Sequence, residues 1–371
     1  MNRRDVLLAG SALALTGRSA WAAPSSGVLT FGQSASLTGG QAAYGRDVRD
    51  GILAAFAAAS AKGLKLELVT LDDGGDKERC KANTKTLIES GVLGLVGYTS
   101  GAAAEASSTL IEQSQTVLLG AASGNMGIRG DSLRMQYHVR AGYDIEYQQM
   151  VRYVKEFGMR RVGYVYLKDT SAANLDAMTV ALGNVGVKLS ESVGLSRNST
   201  DFAAVAKTML DAKVDCVLFT TNSSLVAGTI EQMSASGYAG MYFSSSFAGQ
   251  ALLDAMSQRK QSVVMAQVVP RPNALGLPLI SRCHKDYAAL GRETRAGFTA
   301  IEGYIVGSIA AEATRQAVKA GGSMSKARLH EALASLRADL GGYQVDFSGG
   351  KTQGSKFVDV VAIDRSGRVI G

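Results

Sequence analysis

The chain has 371 residues, 46% of them hydrophobic and 19% charged, with a formal net charge of +7. The basic excess is spread along the chain and forms no tract interleaved with aromatics, so no nucleic-acid partner is expected. Three histidines (His138, His284 and His330) are too scattered for a zinc-ligand spacing, and neither a metal nor another cofactor is expected.

Taken in order, the chain opens with Arg3-Arg4, an uncharged run over 6–17 and the small-x-small sequence Ala20-Trp21-Ala22. That pattern reads as a secretory signal peptide over residues 1–22. Its Arg-Arg pair is of the twin-arginine export type. The uncharged run is about a dozen residues, against the roughly 20 that a bilayer span needs. Cleavage after Ala22 would remove Arg3, Arg4, Arg18 and Asp5, lowering the charge from +7 to +5, together with the one Trp. The remainder exceeds the about 250–300 residues of a single core, so two domains are expected.

Strands are expected over 28–34, 64–71, 92–96 and 117–120, alternating with helices over 44–61, 77–89 and 102–114. A second set has helices over 145–157, 172–185, 202–210 and 224–236, and strands over 161–166, 188–193, 214–220 and 241–245. Strands separated by helices of this length predict parallel sheets covered on both faces, here two α/β units in succession. The tail carries helices over 279–290 and 298–319 and then strand-like segments, and it must dock back on the sheets. Three of the four prolines (Pro270, Pro272 and Pro278) cluster where a chain crossing would be needed. Cys216 lies in an apolar strand and reads as a buried filler. One bridge between Cys80 and Cys283 stays open.

In open α/β sheets, ligands bind beyond the carboxyl ends of the strands, where helix N-termini converge. Polar or glycine-rich turns stand at those ends: 34–45, 97–101 and 120–125 in the first unit, and 168–171, 220–224 and 244–247 in the second. They supply hydroxyls, amides and backbone N–H groups suited to an anion such as a carboxylate. Ser100, capping the helix after the third strand, is the foremost candidate, although Ser and Thr also serve there as ordinary caps. Catalytic bases are nearly absent from these turns, and neither H-E-x-x-H nor G-x-S-x-G occurs. Gly350-Lys351-Thr352 resembles the end of a Walker A motif, but Val345 occupies the first glycine position, so it reads as a turn. The sequons at Asn198 and Asn222 also read as turns. Asp72-Asp73 ends a strand and Asp76 caps the next helix, which favours structural roles over acid–base work.

Leu37-Thr38-Gly39-Gly40 with Tyr44-Gly45 and Gly51, then Asp72 to Asp76 with Asn83, then Gly97 to Ser100, appear in order. Together with Phe202 onward and 298–304, they make the chain similar to type I periplasmic binding proteins of ABC importers, the leucine/isoleucine/valine-binding family. That resemblance implies two Rossmann-like lobes with parallel-sheet cores, joined by three hinge crossings. Lobe 1 would be 27–141 and 270–345, and lobe 2 would be 142–269 and 346–371. It implies a non-enzymatic periplasmic receptor that closes over a small-molecule ligand, an amino acid or related carboxylate, and then docks on an ABC permease in the inner membrane. The ligand set it implies is Tyr44, Ser100, Ala121, Ala122 and Ser123 from lobe 1, with Ser171, Asn222 and Ser246 from lobe 2.

The chain departs from the family pattern in three places. The stretch 244–247 lacks the acid that pairs with a ligand ammonium, and Ser171 and Asn222 stand where tyrosines are typical. Asp169 and Glu302 remain open as substitute acids. An enclosed ammonium without a counter-charge costs several kcal/mol, so the alternative ligand is an organic or aromatic acid. A sensor uncoupled from transport, and an exported enzyme on the same scaffold, are the rival functions.

Overall fold

The computed structural model describes residues 27–292, 295–364, 366 and 368–370, so the expected export segment with Arg3, Arg4 and Trp21 lies outside them. The first unit runs β1 (Leu29–Ala35), α1 (Ala42–Ser60), β2 (Leu66–Asp72), α2 (Lys77–Glu89), β3 (Gly94–Val96), α3 (Gly101–Gln113), β4 (Leu118–Leu119) and β5 (Gln136–Tyr137). Its five strands are parallel, in the order β2-β1-β3-β4-β5. The second unit begins with α4 (Tyr143–Glu156), β6 (Val162–Leu167), α5 (Ala172–Asn184), β7 (Leu189–Leu195) and α6 (Phe202–Asp211). It continues with β8 (Cys216–Thr220), α7 (Ser223–Ala235), β9 (Met241–Ser244), α8 (Gly249–Arg259) and β10 (Val263–Gln267). These strands are also parallel and repeat the same order, β7-β6-β8-β9-β10. The chain then adds α9 (Pro278–Ala288), α10 (Phe298–Lys319), α11 (Lys326–Ala334) and the hairpin β11 (Arg337–Asp339)–β12 (Gln344–Asp346). It ends with β13 (Asp359–Ile363) and β14 (Val369–Ile370), which extend the second sheet antiparallel beyond β10.

Two lobes with parallel-sheet cores are therefore what the alternation of elements predicts and what the chain forms. Helices cover both faces, so the strands read as continuous apolar runs rather than alternating ones; all five residues of β8 are buried. Asp76, Ser100, Asp201, Asn222 and Ser325 each accept a hydrogen bond from the backbone N–H three residues on, closing the first turns of α2, α3, α6, α7 and α11. Several elements had no counterpart in the sequence reading. Helix α8 starts at Gly249 behind Ala248, which offers no capping side chain. Strands β5 and β10 and the nine-residue α11 were likewise unread.

Helix α10 crosses α1 at backbone contact and so returns the tail to the first lobe. A Cβ on Gly51 would sit 2.0 Å from the Ala300 carbonyl oxygen, and one on Gly303 2.1 Å from that of Val48. Only glycine permits this approach. All three cysteines are buried and unpaired, so Cys80 and Cys283 form no bridge. Burial pushes each thiol up to about 12, which leaves them inert.

The chain passes between the sheets three times, after β5, after β10 and after β12. The first and third passages pair side by side: the His138 N–H donates to the Thr352 carbonyl at 2.7 Å and the Gly354 N–H to the His138 carbonyl at 2.8 Å. The Tyr343 hydroxyl lies 2.7 Å from the Val139 carbonyl oxygen and 3.0 Å from that of Val268, sharing its proton between the first and second passages. His138 is buried there, its Nε2 donating to the Ile128 carbonyl at 2.8 Å and its Nδ1 unpartnered. Burial and then the nearby Arg129 charge push its pKa well below 6.5. The folded protein thus holds His138 neutral, while the unfolded chain gains a proton below about pH 6.5. Its contribution to stability is present above that pH and is lost as pH falls. Replacement by Gln should flatten the fall in Tm between pH 7 and pH 5; an unchanged slope in thermal melts would refute this account.

Candidate functional site

The strand order in both sheets reverses direction beside the first strand of each unit, between β1 and β3 and between β6 and β8. Open α/β sheets leave a crevice at that switch point, and here the two crevices face each other. The turn after β1 is fastened to the turn after β2. The Asp72 carboxylate accepts from the Leu37, Thr38 and Gly74 N–H groups and the Thr38 hydroxyl. Burial opposes its ionisation, but the Thr38 and backbone hydrogen bonds outweigh it and hold the pKa at about 2. Asp73 accepts from the Ser34 and Ser36 hydroxyls at 2.8 and 3.0 Å. Both acids are occupied in shaping the turn, as the sequence suggested.

The lobe 1 candidates converge. Ser100 caps α3, is buried, and accepts from the Ala103 N–H over a long 3.4 Å. Ser123 presses against the same helix start: a Cβ on Gly101 would lie 2.5 Å from its Oγ. The N–H groups of Ser100 and Ala121 have no backbone acceptor among the described residues. Those of Gly101 and Ala102 point out of the first turn of α3, as helix geometry requires. Four free N–H donors and the hydroxyls of Ser100 and Ser123 therefore share one buried corner, at the positive end of a helix. The Ala122 carbonyl accepts the Tyr44 hydroxyl at 2.8 Å, which sets the Tyr44 ring as a wall.

The lobe 2 candidates divide. The ring of Phe247, next to Ser246, meets the Tyr44 ring at 5.8 Å across the cleft. Ser246 itself is engaged: its N–H and hydroxyl donate to Glu146 at 2.8 and 3.1 Å, and its Oγ accepts from Arg140. Asn222 caps α7, donates to the Arg197 carbonyl at 2.9 Å, and lines an interlobe crevice of about 330 Å³ with Gly40, Gln41, Lys168, Asp169 and Arg197. Ser171 precedes α5, half-buried, and makes no side-chain cap.

Residues that the sequence reading passed over fill the hinge side. Arg140, fully buried in the first passage, pairs with Glu146 of α4 at 2.5 Å and Glu302 of α10 at 3.0 Å. The two carboxylates more than offset the desolvation of Arg140 and raise its pKa. Tyr143 stacks on Tyr147 at 5.7 Å, and the Tyr147 hydroxyl lies 2.9 Å from both the Tyr164 hydroxyl and the Thr220 Oγ1. Arg140 standing in a buried-looking stretch, followed by Tyr143, Glu146 and Tyr147 at helical spacing, was the available signal. Of the acids held open for an ammonium, Glu302 is paired with Arg140 and Asp169 with Arg197 at 2.6 Å.

Several contacts join the lobes outside this centre, among them the Gln250 N–H of α8 donating to the Thr299 Oγ1 of α10 at 3.0 Å. Arg197 donates to the Gln41 Oε1 at 2.9 Å, and the Met126 N–H donates to the Asn174 Oδ1 at 2.8 Å. Each is worth about 0.5–1.5 kcal/mol. The double replacement Gln41→Ala with Asn174→Ala should therefore shift the ligand-free protein toward an open form by about tenfold, seen as a larger radius of gyration in X-ray scattering. An unchanged radius would show that these bonds do not hold the lobes.

The sequence model of a family described as periplasmic binding protein matches residues 28–368. No curated protein sequence matches the chain. A solved structure of a possible leucine/isoleucine/valine-binding protein from Rhodopirellula baltica is 25% identical, with a TM-score of 0.85 over 94% of this chain and 98% of that one. A branched-chain amino acid ABC transporter protein from Thermus thermophilus with bound valine is 16% identical, with a TM-score of 0.81 over 92% and 94%. A fatty acid ABC transporter substrate-binding protein from Thermomonospora curvata is 17% identical, with a TM-score of 0.81 over 94% and 92%.

Proposed function

The chain belongs to the periplasmic binding protein family, and from that premise we propose that it captures a small carboxylate-bearing ligand in the periplasm for an ABC permease. The observation that carries this reading is the corner of free N–H groups at Ser100, Gly101, Ala102 and Ala121 with the Ser100 and Ser123 hydroxyls beside it. Such a corner suits an anion, with the positive end of a helix behind it. In this reading residues 1–22 direct export, and the lobes are 27–141 with 270–345 and 142–269 with 346–371.

Ligand first seats on lobe 1, with Tyr44 as its wall. Lobe 2 then swings about the three passages, bringing Phe247 and Asn222 across it and Ser171 to the rim. Ser246 acts indirectly, through Glu146 and Arg140. Closure follows because the ligand touches both lobes only when they meet, which gives it differential affinity for that state. The closed form is what a permease, or in the rival reading a sensor, would recognise.

Leucine-type amino acids and acids lacking an ammonium both satisfy the anion corner. The second reading, an organic or aromatic acid, is favoured by the pairing of Glu302 with Arg140 and of Asp169 with Arg197. The names of the structural neighbours, one with valine and one for a fatty acid, span the same two chemistries.

A thermal-shift panel of leucine, phenylalanine, 4-methylpentanoate, phenylacetate and benzoate, with the neutral 4-methylpentanamide and the cationic leucinamide, tests both readings. Ligand at a hundredfold excess over Kd adds about 2.7 kcal/mol of stability, a rise of several degrees. At least one acid should produce it, and Ser100→Ala with Ser123→Ala should abolish it. Stabilisation by leucine alone, without 4-methylpentanoate, would remove the second reading. A response to neutral or cationic solutes only would remove the first.

A further inference from the structure

Helices α8 and α10 both begin without a capping side chain of their own. Ala248 precedes α8 and Gly297 precedes α10, and neither supplies a side-chain acceptor to the first turn. The first N–H groups of a helix have no intrahelical acceptor, so such starts need partners from elsewhere. Here each finds one on the other helix. The Gln250 N–H of α8 donates to the Thr299 Oγ1 of α10 at 3.0 Å, and the Phe298 N–H of α10 donates to the Gln250 Oε1 at 3.3 Å. The Gln250 Nε2 donates to Asp254, one turn on, at 2.8 Å, which leaves the amide oxygen facing α10. Phe298 and Thr299 are buried.

The two helices belong to different lobes. α8 lies between β9 and β10 of the second sheet, whereas α10 packs on α1 of the first lobe. Their approach is close as well as polar. A Cβ on Gly297 would lie 2.7 Å from the Gln250 Oε1, and one on Gly249 would lie 3.0 Å from the Thr299 Oγ1. The same Cβ on Gly249 would lie 2.7 Å from the Tyr44 ring, whose hydroxyl donates to the Ala122 carbonyl at 2.8 Å. A line of contact therefore runs from the anion corner through Tyr44 to the start of α8. Bringing two helix N-termini together sets like dipole ends against each other, and an acceptor from each side offsets that opposition.

We propose that Gln250 and Thr299 form a reciprocal clasp between the lobes, made when the cleft shuts and broken when it opens. Both are positioning residues, holding α8 against Tyr44, the wall of the cleft. Because both bonds depend on the same apposition of α8 and α10, they form and break as a unit. Opening leaves both N–H groups to water at once, and a ligand that keeps the cleft shut keeps both covered.

Amide hydrogen exchange on the ligand-free protein, followed residue by residue, reads the two bonds separately. Thr299→Val keeps the shape of the side chain and removes the acceptor of the Gln250 N–H. Exchange should speed up at Gln250 and also at Phe298, whose own acceptor is untouched, by about fivefold or more, the worth of one hydrogen bond. Thr299→Ser keeps an acceptor and should restore both amides to within about twofold of wild type. Gln250→Met is the mirror test, and it carries the decision if Thr299→Val fails to fold. It removes the acceptor of the Phe298 N–H, and the amide at position 250 should speed up as well although Thr299 remains. A variant that speeds only the amide whose acceptor it removed, or neither amide, overturns the clasp. Whichever of leucine and 4-methylpentanoate raises the Tm should slow both amides by the same factor, and slowing of one alone or of neither also overturns it. Failure of every acid to bind counts against the carboxylate reading alone, since exchange in the two variants needs no ligand.

Discussion

Everything the two sheets do depends on three chain passages lying side by side and hydrogen-bonded to one another inside the protein. The Tyr343 hydroxyl is the clearest case: one proton shared between the carbonyls of Val139 and Val268 joins passages distant in sequence. The His138 pairing with Thr352 and Gly354 adds a rung of parallel ladder between the first and third. A backbone group left unpaired at this depth would cost about 1–3 kcal/mol. The passages are therefore tied to one another through backbone carbonyls and amides rather than running independently.

Arg140 adds an ionic layer to the same region. It accepts no solvent, and its two carboxylate partners come one from each lobe's helices, Glu146 on α4 and Glu302 on α10. A buried pair of this kind is weak evidence of added stability, since desolvation consumes much of the attraction. Its contribution is geometric: a fork of fixed donors sets the angle at which α4 and α10 approach the hinge. Ser246 joins that cluster through Glu146, so the turn beside Phe247 is placed by the hinge charges.

The architecture was legible because strand and helix periods alternate cleanly and because capping residues mark helix starts. Helices α2 and α10 begin and end at the residues the pattern indicates. The lobe 1 half of the site was legible for the same reason, since Ser100 is at once a cap and a candidate. Helix α8 was not, because Ala248 offers no side-chain cap and Gly249 enters with φ of +66°. Arg129, Arg140 and Glu146 were missed because their importance lies in partners up to 224 positions away, as Arg129 is from Gln353. Ser246 looked free in sequence and is committed to Glu146 in space. Local pattern reports which backbone ends meet; it does not report which side chains have already found each other.

The route of the chain has a consequence for how the protein is made. The first lobe needs α10 packed on α1, and the second needs β13 beside β10, so neither lobe is built from one contiguous stretch. A nascent chain emerging from the ribosome cannot finish either half until nearly all of it is available. Each half is thus completed by a segment that follows the other in sequence, so the order of synthesis and the order of assembly differ.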